Sequence, residues 1–130
     1  MTNYIYKNPH PKGLRVGDCV KRAITLATGK DYKQVSLELN RQKRKLGLKA
    51  FNSRENWKTY ITEELHGKKI SFPAIQGEAR VSGRTFANYY PKGTYILKMA
   101  KHICCCINGT IYDTWDCREK CVYLAYKIGD

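Results

Sequence analysis

Three residues of types that support nucleophilic catalysis stand out in the chain: Cys19, His102 and Asp113. Cys19 opens an apolar run, so it falls at the start of a predicted helix, where unpaired backbone N–H groups and the helix dipole favour a thiolate. Lys21 and Arg22 add positive potential beside it. A thiolate served by a histidine base and an orienting carboxylate attacks carbonyl carbon. The three residues therefore predict a centre for cleaving amides or thioesters.

An Asn-Gly pair between His102 and Asp113 gives their spacing a structural meaning. Asn108 and Gly109 separate two β-prone runs, a pattern that predicts a hairpin with a type I′ turn. In that register Trp115 lies opposite His102, and Asp113 is diagonal to the ring at roughly 7 Å by backbone on the same face. We expect Asp113 to orient the imidazole and Trp115 to shield the pair from water.

The segments GDCVKRAI, GTYILKMAKH and GTIYDTWD together resemble the papain-like cysteine peptidase superfamily, in the compact form of small bacterial and phage papain-fold proteins. In that pattern a helix-starting Cys precedes a strand His, and then an Asn or Asp followed two residues later by Trp. The resemblance implies that Cys19 is the nucleophile, His102 the base and Asp113 the orienting residue. It implies a thiol hydrolase, a cysteine peptidase or a related enzyme, acting on a protein or peptide.

One part of the papain-like pattern has no counterpart in the chain. A glutamine usually lies five or six residues before the cysteine and donates to the oxyanion, whereas Leu14 and Gly13 occupy those positions. We expect Asn8 or His10, in the NPHP segment, to reach the site instead, together with the backbone N–H of Cys19.

The elements that must position these residues are predicted as helices first and strands second. Caps and apolar spacing predict helices from Cys19 to Thr28, from an N-cap at Asp31 to Gly47, and from about Ser53 to Gly67. Strand signals cover 68–75, 93–100, 102–107, 110–115 and 120–128, with a short helical turn at 82–90.

This order predicts an α+β class with a papain-like arrangement, in which N-terminal helices pack on a C-terminal antiparallel β-sheet. We expect a single domain over residues 1–130. Residues 1–17 form an arm, 18–66 the helical part and 68–130 the sheet part.

The six cysteines are expected to be free thiols. The chain has no apolar run long enough to cross a bilayer, and its first residues lack the apolar core of a signal peptide, so we expect a reducing cytoplasm. Cys104, Cys105 and Cys106 suggest a zinc site, with Cys117 and Cys121 as further ligands. No Cys-x-x-Cys pair is present, however, and alternating residues on a flat strand converge poorly on one ion. We expect these cysteines to pack the sheet, and we expect no metal or other cofactor.

The net charge of +13 favours an acidic partner, either an acidic protein or peptide substrate or a nucleic acid. A solvated helix face and a binding site are both open interpretations of the most basic stretch. The alternative function is therefore a catalytically inactive, basic papain-fold module, phage-encoded, that contacts nucleic acid or a host nucleoprotein complex. The basic residues concerned are Arg41, Lys43, Arg44, Lys45 and Lys49.

Overall fold

The computed structural model describes residues 4–129 and has helices before most strands, in an α+β arrangement as predicted. The helices are α1 (Cys19–Thr28), α2 (Tyr32–Leu46), α3 (Arg54–Thr59), which continues into a π-helical turn (Tyr60–Glu64), and α4 (Gly83–Tyr89). The strands are β1 (Tyr4–Tyr6), β2 (Lys68–Ser71), β3 (Thr94–Met99), β4 (His102–Ile107), β5 (Thr110–Asp113) and β6 (Val122–Ile128). No helix within this part of the chain is long and apolar enough to span a membrane.

The six strands form one sheet in the order β1-β5-β4-β3-β6-β2, and this sheet is mixed. Strands β2 to β6 pair antiparallel, as predicted for residues 68–130, but β1, from the segment predicted as an arm, adds to one edge in parallel with β5 and places Tyr4 beside Ile111 and Tyr6 beside Asp113. The segment 1–17 was predicted as an arm, and its residues 1–3 lie outside the described ones. Strand β1 has only three residues and is followed by Lys-Asn-Pro, so the alternation of side chains that indicates a strand is too short to be recognised in the sequence.

The first two helices begin and end as predicted. Asp31 caps α2 by accepting from the Lys33 backbone N–H at 3.1 Å. Gly29 and Gly47 end α1 and α2 with φ of 74° and 71°, a left-handed conformation that glycine adopts without a steric cost. The third helix begins after Ser53 as predicted, but its last turn widens into the π-helical turn.

The Asn-Gly hairpin is confirmed. Asn108 and Gly109 have φ of 48° and 78°, as a type I′ turn requires, and Cys106 pairs with Ile111. The second strand is shorter than the predicted 110–115 and ends at Asp113, where the Thr114 backbone N–H turns to donate to the Asp113 carboxylate at 2.7 Å.

The predicted strands at 68–75 and 120–128 are also shorter in the structure, where they cover Lys68–Ser71 and Val122–Ile128. Pro73 cannot donate a ladder hydrogen bond, which limits the first of them.

The sheet is covered on both faces. Helices α1 to α3 pack on one face, where residues such as Ile24, Leu39 and Ile103 form a buried cluster. Helix α4 packs on the other through Phe86, beside Cys104 and other strand residues. The site residues lie where α1 meets the ends of β4 and β5.

Candidate active site

Cys19, His102 and Asp113 come from three different elements, and the structure brings them together. Cys19 is the first residue of α1, His102 the first of β4 and Asp113 the last of β5. The imidazole Nε2 of His102 lies 2.5 Å from Oδ2 of Asp113. Both of these side chains are buried, whereas Cys19 is half-buried and lines an open cleft with His102. A thiol that solvent can reach is thus backed by a buried His–Asp pair.

The surroundings of Cys19 lower the pKa of its thiol from the ordinary value of 9.0. Burial acts in the opposite direction and raises it. Hydrogen bonding to His102 and to the backbone of Ile103, together with the positive charges of His102 and Arg22, outweighs the burial effect. The site therefore favours the thiolate, which is the nucleophilic form of cysteine.

The pKa of His102 is raised to about 11. Burial lowers it, but hydrogen bonds to Asp113, Cys117 and Cys19 and the negative charge of Asp113 raise it by more. The pKa of Asp113 is lowered in turn, because the hydrogen bond and charge of His102 overcome the effect of burial. The imidazolium and the carboxylate each stabilise the charge of the other.

Arg22 extends this charged group to the residue before the nucleophile. Its guanidinium pairs with Asp18 through Nη1 and with Oδ1 of Asp113 at 3.2 Å through Nη2. All three side chains are almost fully buried. One cation thus joins the carboxylate that orients His102 to the residue that precedes Cys19. The sequence indicates Arg22 only as a source of positive potential. In the structure it also binds Oδ1 of Asp113, the carboxylate oxygen that His102 does not contact.

The Asp18 carboxylate occupies the N-cap position of α1 without capping the helix. Its oxygens bind Arg22 and the Tyr32 hydroxyl, the latter at 2.6 Å, instead of accepting from the N–H groups of the first turn. The first N–H groups of a helix have no partner within the helix. They are therefore left to stabilise negative charge at Cys19.

Trp115 contacts the imidazole as expected, although by a different route. Strand β5 has ended before it, and the bend at Thr114 carries the indole to His102, with ring centroids 4.7 Å apart and planes tilted by 49°. The side chain lines the cleft and is 38% exposed. It covers one side of the ring and leaves the cleft open.

Asn8 and His10 are not placed in the cleft, which corrects their expected role as oxyanion donors. The Asn8 side chain donates to the Leu14 carbonyl at 3.0 Å and accepts from the His10 backbone N–H at 3.1 Å, so it closes its own loop. The His10 ring lies against Tyr32, with centroids 5.2 Å apart. Neither residue lines the cleft.

The cleft has a volume of about 450 Å³ and includes residues that the sequence did not single out. Asn52 lines it with an exposed amide, and Arg15 and Lys101 line it with cationic side chains. No motif marks these three, because they come from loops that only the fold brings to the site. Unlike Asn8 and His10, Asn52 lines the cleft and carries a side-chain amide that can donate a hydrogen bond.

Cys117 is a second thiol beside the pair that the sequence argument did not assign. Its sulfur lies 3.5 Å from Oδ2 of Asp113, and its pKa is lowered to about 7, mainly by a hydrogen bond with Cys104. Its side chain is 1% exposed and does not line the cleft. A molecule that enters the cleft therefore meets Cys19 and not Cys117.

His102, Asp113 and Cys117 are close enough to offer three ligand atoms to a metal ion. Both oxygens of Asp113 are already engaged, one by His102 and the other by Arg22 and the Thr114 N–H. A bound cation would displace these contacts and would lie beside the Arg22 guanidinium. The three side chains are better suited to holding a proton than a metal.

The three consecutive cysteines pack the interior, as the sequence argument expected. Cys104 and Cys106 belong to the cluster under α4, and Cys105 is fully buried. Burial raises the pKa of Cys105 and of Cys106, the latter to about 12. The hydrogen bond with Cys117, together with burial, raises the pKa of Cys104, so all three remain neutral thiols near pH 7.

No residue of the basic stretch 41–49 lines the cleft. Lys43, Arg44 and Lys45 form the last turn of α2, where cations stabilise the negative end of the helix dipole. Arg41 and Lys45 border a surface depression that also contains Glu38 and Glu64, and Lys49 is exposed in the loop that follows. Helix stability explains part of this charge, and none of it lines the cleft.

No family model, curated protein or solved structure matches this chain.

Proposed function

We propose that this protein is a thiol hydrolase of papain-like architecture that cleaves an amide or thioester bond of a protein or peptide. Cys19 is the nucleophile, His102 the general acid and base, and Asp113 the residue that orients and charges the imidazole. The observation that carries the proposal is the arrangement of a half-buried thiol, lowered in pKa by His102, in an open cleft backed by the buried His102–Asp113 pair.

The reaction begins from a thiolate and an imidazolium. The Cys19 sulfur attacks the carbonyl carbon, and the electron pair of the C=O bond moves to oxygen. The Cys19 backbone N–H, the unpaired first turn of α1 and the Asn52 amide are the donors available to this oxyanion. His102 gives its proton to the leaving amine or thiol as the bond to carbon breaks, which leaves a thioester on Cys19.

The second half of the reaction uses the same groups in the opposite sense. Neutral His102 takes a proton from water, and the hydroxide oxygen attacks the thioester carbonyl. Collapse of the tetrahedral intermediate expels the Cys19 thiolate and restores the imidazolium, so that atoms and charge balance over the cycle. Asp113 keeps one ring tautomer throughout by holding Nε2.

Acylation by a peptide 4-nitrophenyl ester tests the proposal. We expect a burst of nitrophenolate, a mass increase equal to one acyl group on Cys19, and no burst from Cys19→Ala. Cys121→Ala is the matched control, because it removes an exposed thiol outside the cleft, and it should keep the burst. A burst that persists in Cys19→Ala, or its absence from the wild-type protein, would overturn the proposal.

The alternative, a basic module without catalysis, draws on one structural observation. Arg41, Arg44, Lys45 and Lys49 are exposed on a single stretch at the end of α2. An exposed group of cations suits a phosphate backbone. It does not explain why a thiol of lowered pKa faces a cleft beside a His–Asp pair, and for that reason we favour the enzyme.

A further inference from the structure

The exposed charged side chains of the cleft are positive, whereas its one negative side chain is buried in the wall. Arg15 and Lys101 line the cleft and are exposed. Asp18 is the single acidic residue of the lining, and it is buried with both oxygens bound to Arg22 and Tyr32. The free charge that a ligand meets in the cleft is therefore positive.

Two further cations lie near residues of the cleft. Lys98 lies close enough to Cys19 for the two charges to interact, and its Nζ donates to the Met99 carbonyl at 2.6 Å. Lys120 places its Nζ 5.9 Å from the ring centre of Trp115. Asp116 is the exposed carboxylate next to Trp115 in the sequence. It accepts hydrogen bonds from Nε and Nη2 of Arg118, at 2.9 and 2.7 Å. No free acid offsets these cations among the described residues that line the cleft.

Arg15 and Lys101, the exposed cations of the cleft, lie close in sequence to Cys19 and His102. Arg15 precedes Cys19 by four residues, and Lys101 is the residue before His102, in the tight β3–β4 turn with φ of 52°. One cation thus comes from the segment that carries the nucleophile and the other from the segment that carries the base. Because both cations line the same cleft as Cys19 and His102, an anionic group close to the attacked carbonyl would lie near them.

We infer that the cleft is an anion-recognising subsite and that the protein selects peptides with an aspartate or glutamate side chain beside the scissile bond. This inference rests on the proposed function and specifies its substrate class. Arg15 and Lys101 are the specificity-determining residues. A carboxylate gains charge-assisted hydrogen bonds there, whereas a lysine or arginine side chain meets like charge.

A pair of alkylating reagents tests the inference without knowledge of the natural substrate. Iodoacetate and iodoacetamide both form an S–CH₂ bond as the thiolate displaces iodide, and they differ in carrying a carboxylate or a neutral amide. The quantity measured is the ratio of their rate constants at Cys19, divided by the same ratio for a small free thiol in the same buffer. We expect a value of about 5 to 20 at low salt, since two exposed ionic contacts each contribute modestly, and a fall toward 1 at high salt.

Two double variants with the same loss of charge separate the subsite from the general field of the protein. Arg15→Gln/Lys101→Gln should lower the normalised ratio several-fold, to the smaller value that the remaining charges of His102 and Lys98 maintain. Lys58→Gln/Lys68→Gln removes two exposed lysines that do not line the cleft and should leave the ratio unchanged. An equal fall in both double variants would show that net charge alone is responsible and would overturn the inference.

Peptide inhibitors extend the test to the proposed substrate class. Two peptidyl acyloxymethyl ketones that differ by Glu or Gln beside the reactive carbonyl should inactivate Cys19 at rates about 5- to 20-fold apart, with Glu faster. Rapid but equal reaction with all matched reagents would refute the anion subsite and leave the thiol hydrolase standing. Slow reaction of Cys19 with every reagent would refute the proposed function itself.

Discussion

At the scale of single residues, the central feature is that charged groups stabilise one another in surroundings where burial alone would make them neutral. Burial alone would lower the pKa of His102 and raise that of Asp113. Their contact at 2.5 Å reverses both effects, and the resulting imidazolium lowers the pKa of Cys19. The reactivity of Cys19 thus depends on a carboxylate that belongs to a different strand.

The dependence of His102 on Asp113 can be measured through the ring itself. Because the pKa of His102 is about 11, its ring signals in NMR spectra should show the charged form throughout pH 6 to 9. Asp113→Asn removes the negative charge and should lower the pKa toward the ordinary 6.5, so that the ring titrates inside this range. The His102→Gln spectrum assigns the signals. A ring that titrates near 6.5 in the wild-type protein would contradict the pairing.

Arg22 is a positioning residue, since it acts on the site through Asp18 and Asp113. Arg22→Met leaves the buried Asp18 without its cation and Asp113 with His102 alone, and we expect a loss of about 3–5 kcal/mol in the free energy of unfolding. Arg84→Met is the matched control, because its ion pair with Glu119 is exposed and contributes about 0–1 kcal/mol. Denaturant unfolding measures both losses.

If the role of Arg22 were purely structural, its substitution would change the stability of the protein but not the reactivity of Cys19. Arg22→Lys keeps a cation but cannot bridge two carboxylates with a planar fork. We expect the folded Arg22→Lys protein to react more slowly at Cys19 near pH 6, with a pH midpoint raised relative to wild type. An unchanged midpoint would remove Arg22 from the site and leave it a stability role alone.

At the scale of elements, the site depends on one turn and one helix start. The type I′ turn sets the register of β4 against β5 and so brings His102 to Asp113. The first turn of α1 presents Cys19 with its N–H groups free, because Asp18 is bound elsewhere. Neither element alone contains the site.

Gly109 is the position where the turn is most sensitive to substitution. Its φ is 78°, and a Cβ there would lie 3.2 Å from the Ala87 carbonyl oxygen and 3.4 Å from Cα of Pro91, which are both backbone atoms. Gly109→Ala should therefore lower the free energy of unfolding by about 1–2 kcal/mol. Gly17→Ala is the control, because its Cβ would meet nothing within 4 Å, and it should change stability by less than about 0.5 kcal/mol. Equal effects in thermal unfolding would refute this account of the turn.

The sequence predicted those parts of the fold and site that local rules determine. The caps of α1 and α2 and the Asn-Gly turn were predictable because Asp31, Gly29, Gly47 and Gly109 act within a few residues. The parallel pairing of β1, the Arg22–Asp113 ion pair and the cleft residue Asn52 were not. They join segments far apart in the chain, so no local pattern indicates them. The prediction for Asn8 and His10 was wrong because of a local contact and not a distant one, since a hydrogen bond between the two residues closes their own loop.

At the scale of the whole molecule, the excess of 24 basic over 11 acidic residues produces a positive field that attracts acidic partners. Such a field also draws nucleic acid without any dedicated site. The enzyme interpretation therefore predicts weak, delocalised attraction of nucleic acid, whereas the binding-module interpretation predicts strong attraction at a defined site.

Salt titration of duplex DNA binding separates the two interpretations. We expect weak binding at low salt that is largely lost between 50 and 200 mM, in the range of non-specific contacts with roughly micromolar or weaker affinity. Cys19→Ala should not change it, and Arg41→Gln/Lys45→Gln should reduce it modestly. Fluorescence anisotropy provides the measurement. Tight binding that survives 200 mM salt would instead favour the basic module.

The central claim is that His102 holds Cys19 as a thiolate, and the pH dependence of Cys19 alkylation tests it most directly. Iodoacetamide labelling, read by peptide mass mapping, gives the rate at Cys19 separately from the other five cysteines. We expect the midpoint of the rate to lie below that of a cysteine in an unstructured peptide, and to rise in His102→Gln because the hydrogen bond and the positive charge are lost. A wild-type midpoint at or above that of the peptide cysteine, or the same midpoint in both proteins, would contradict the account.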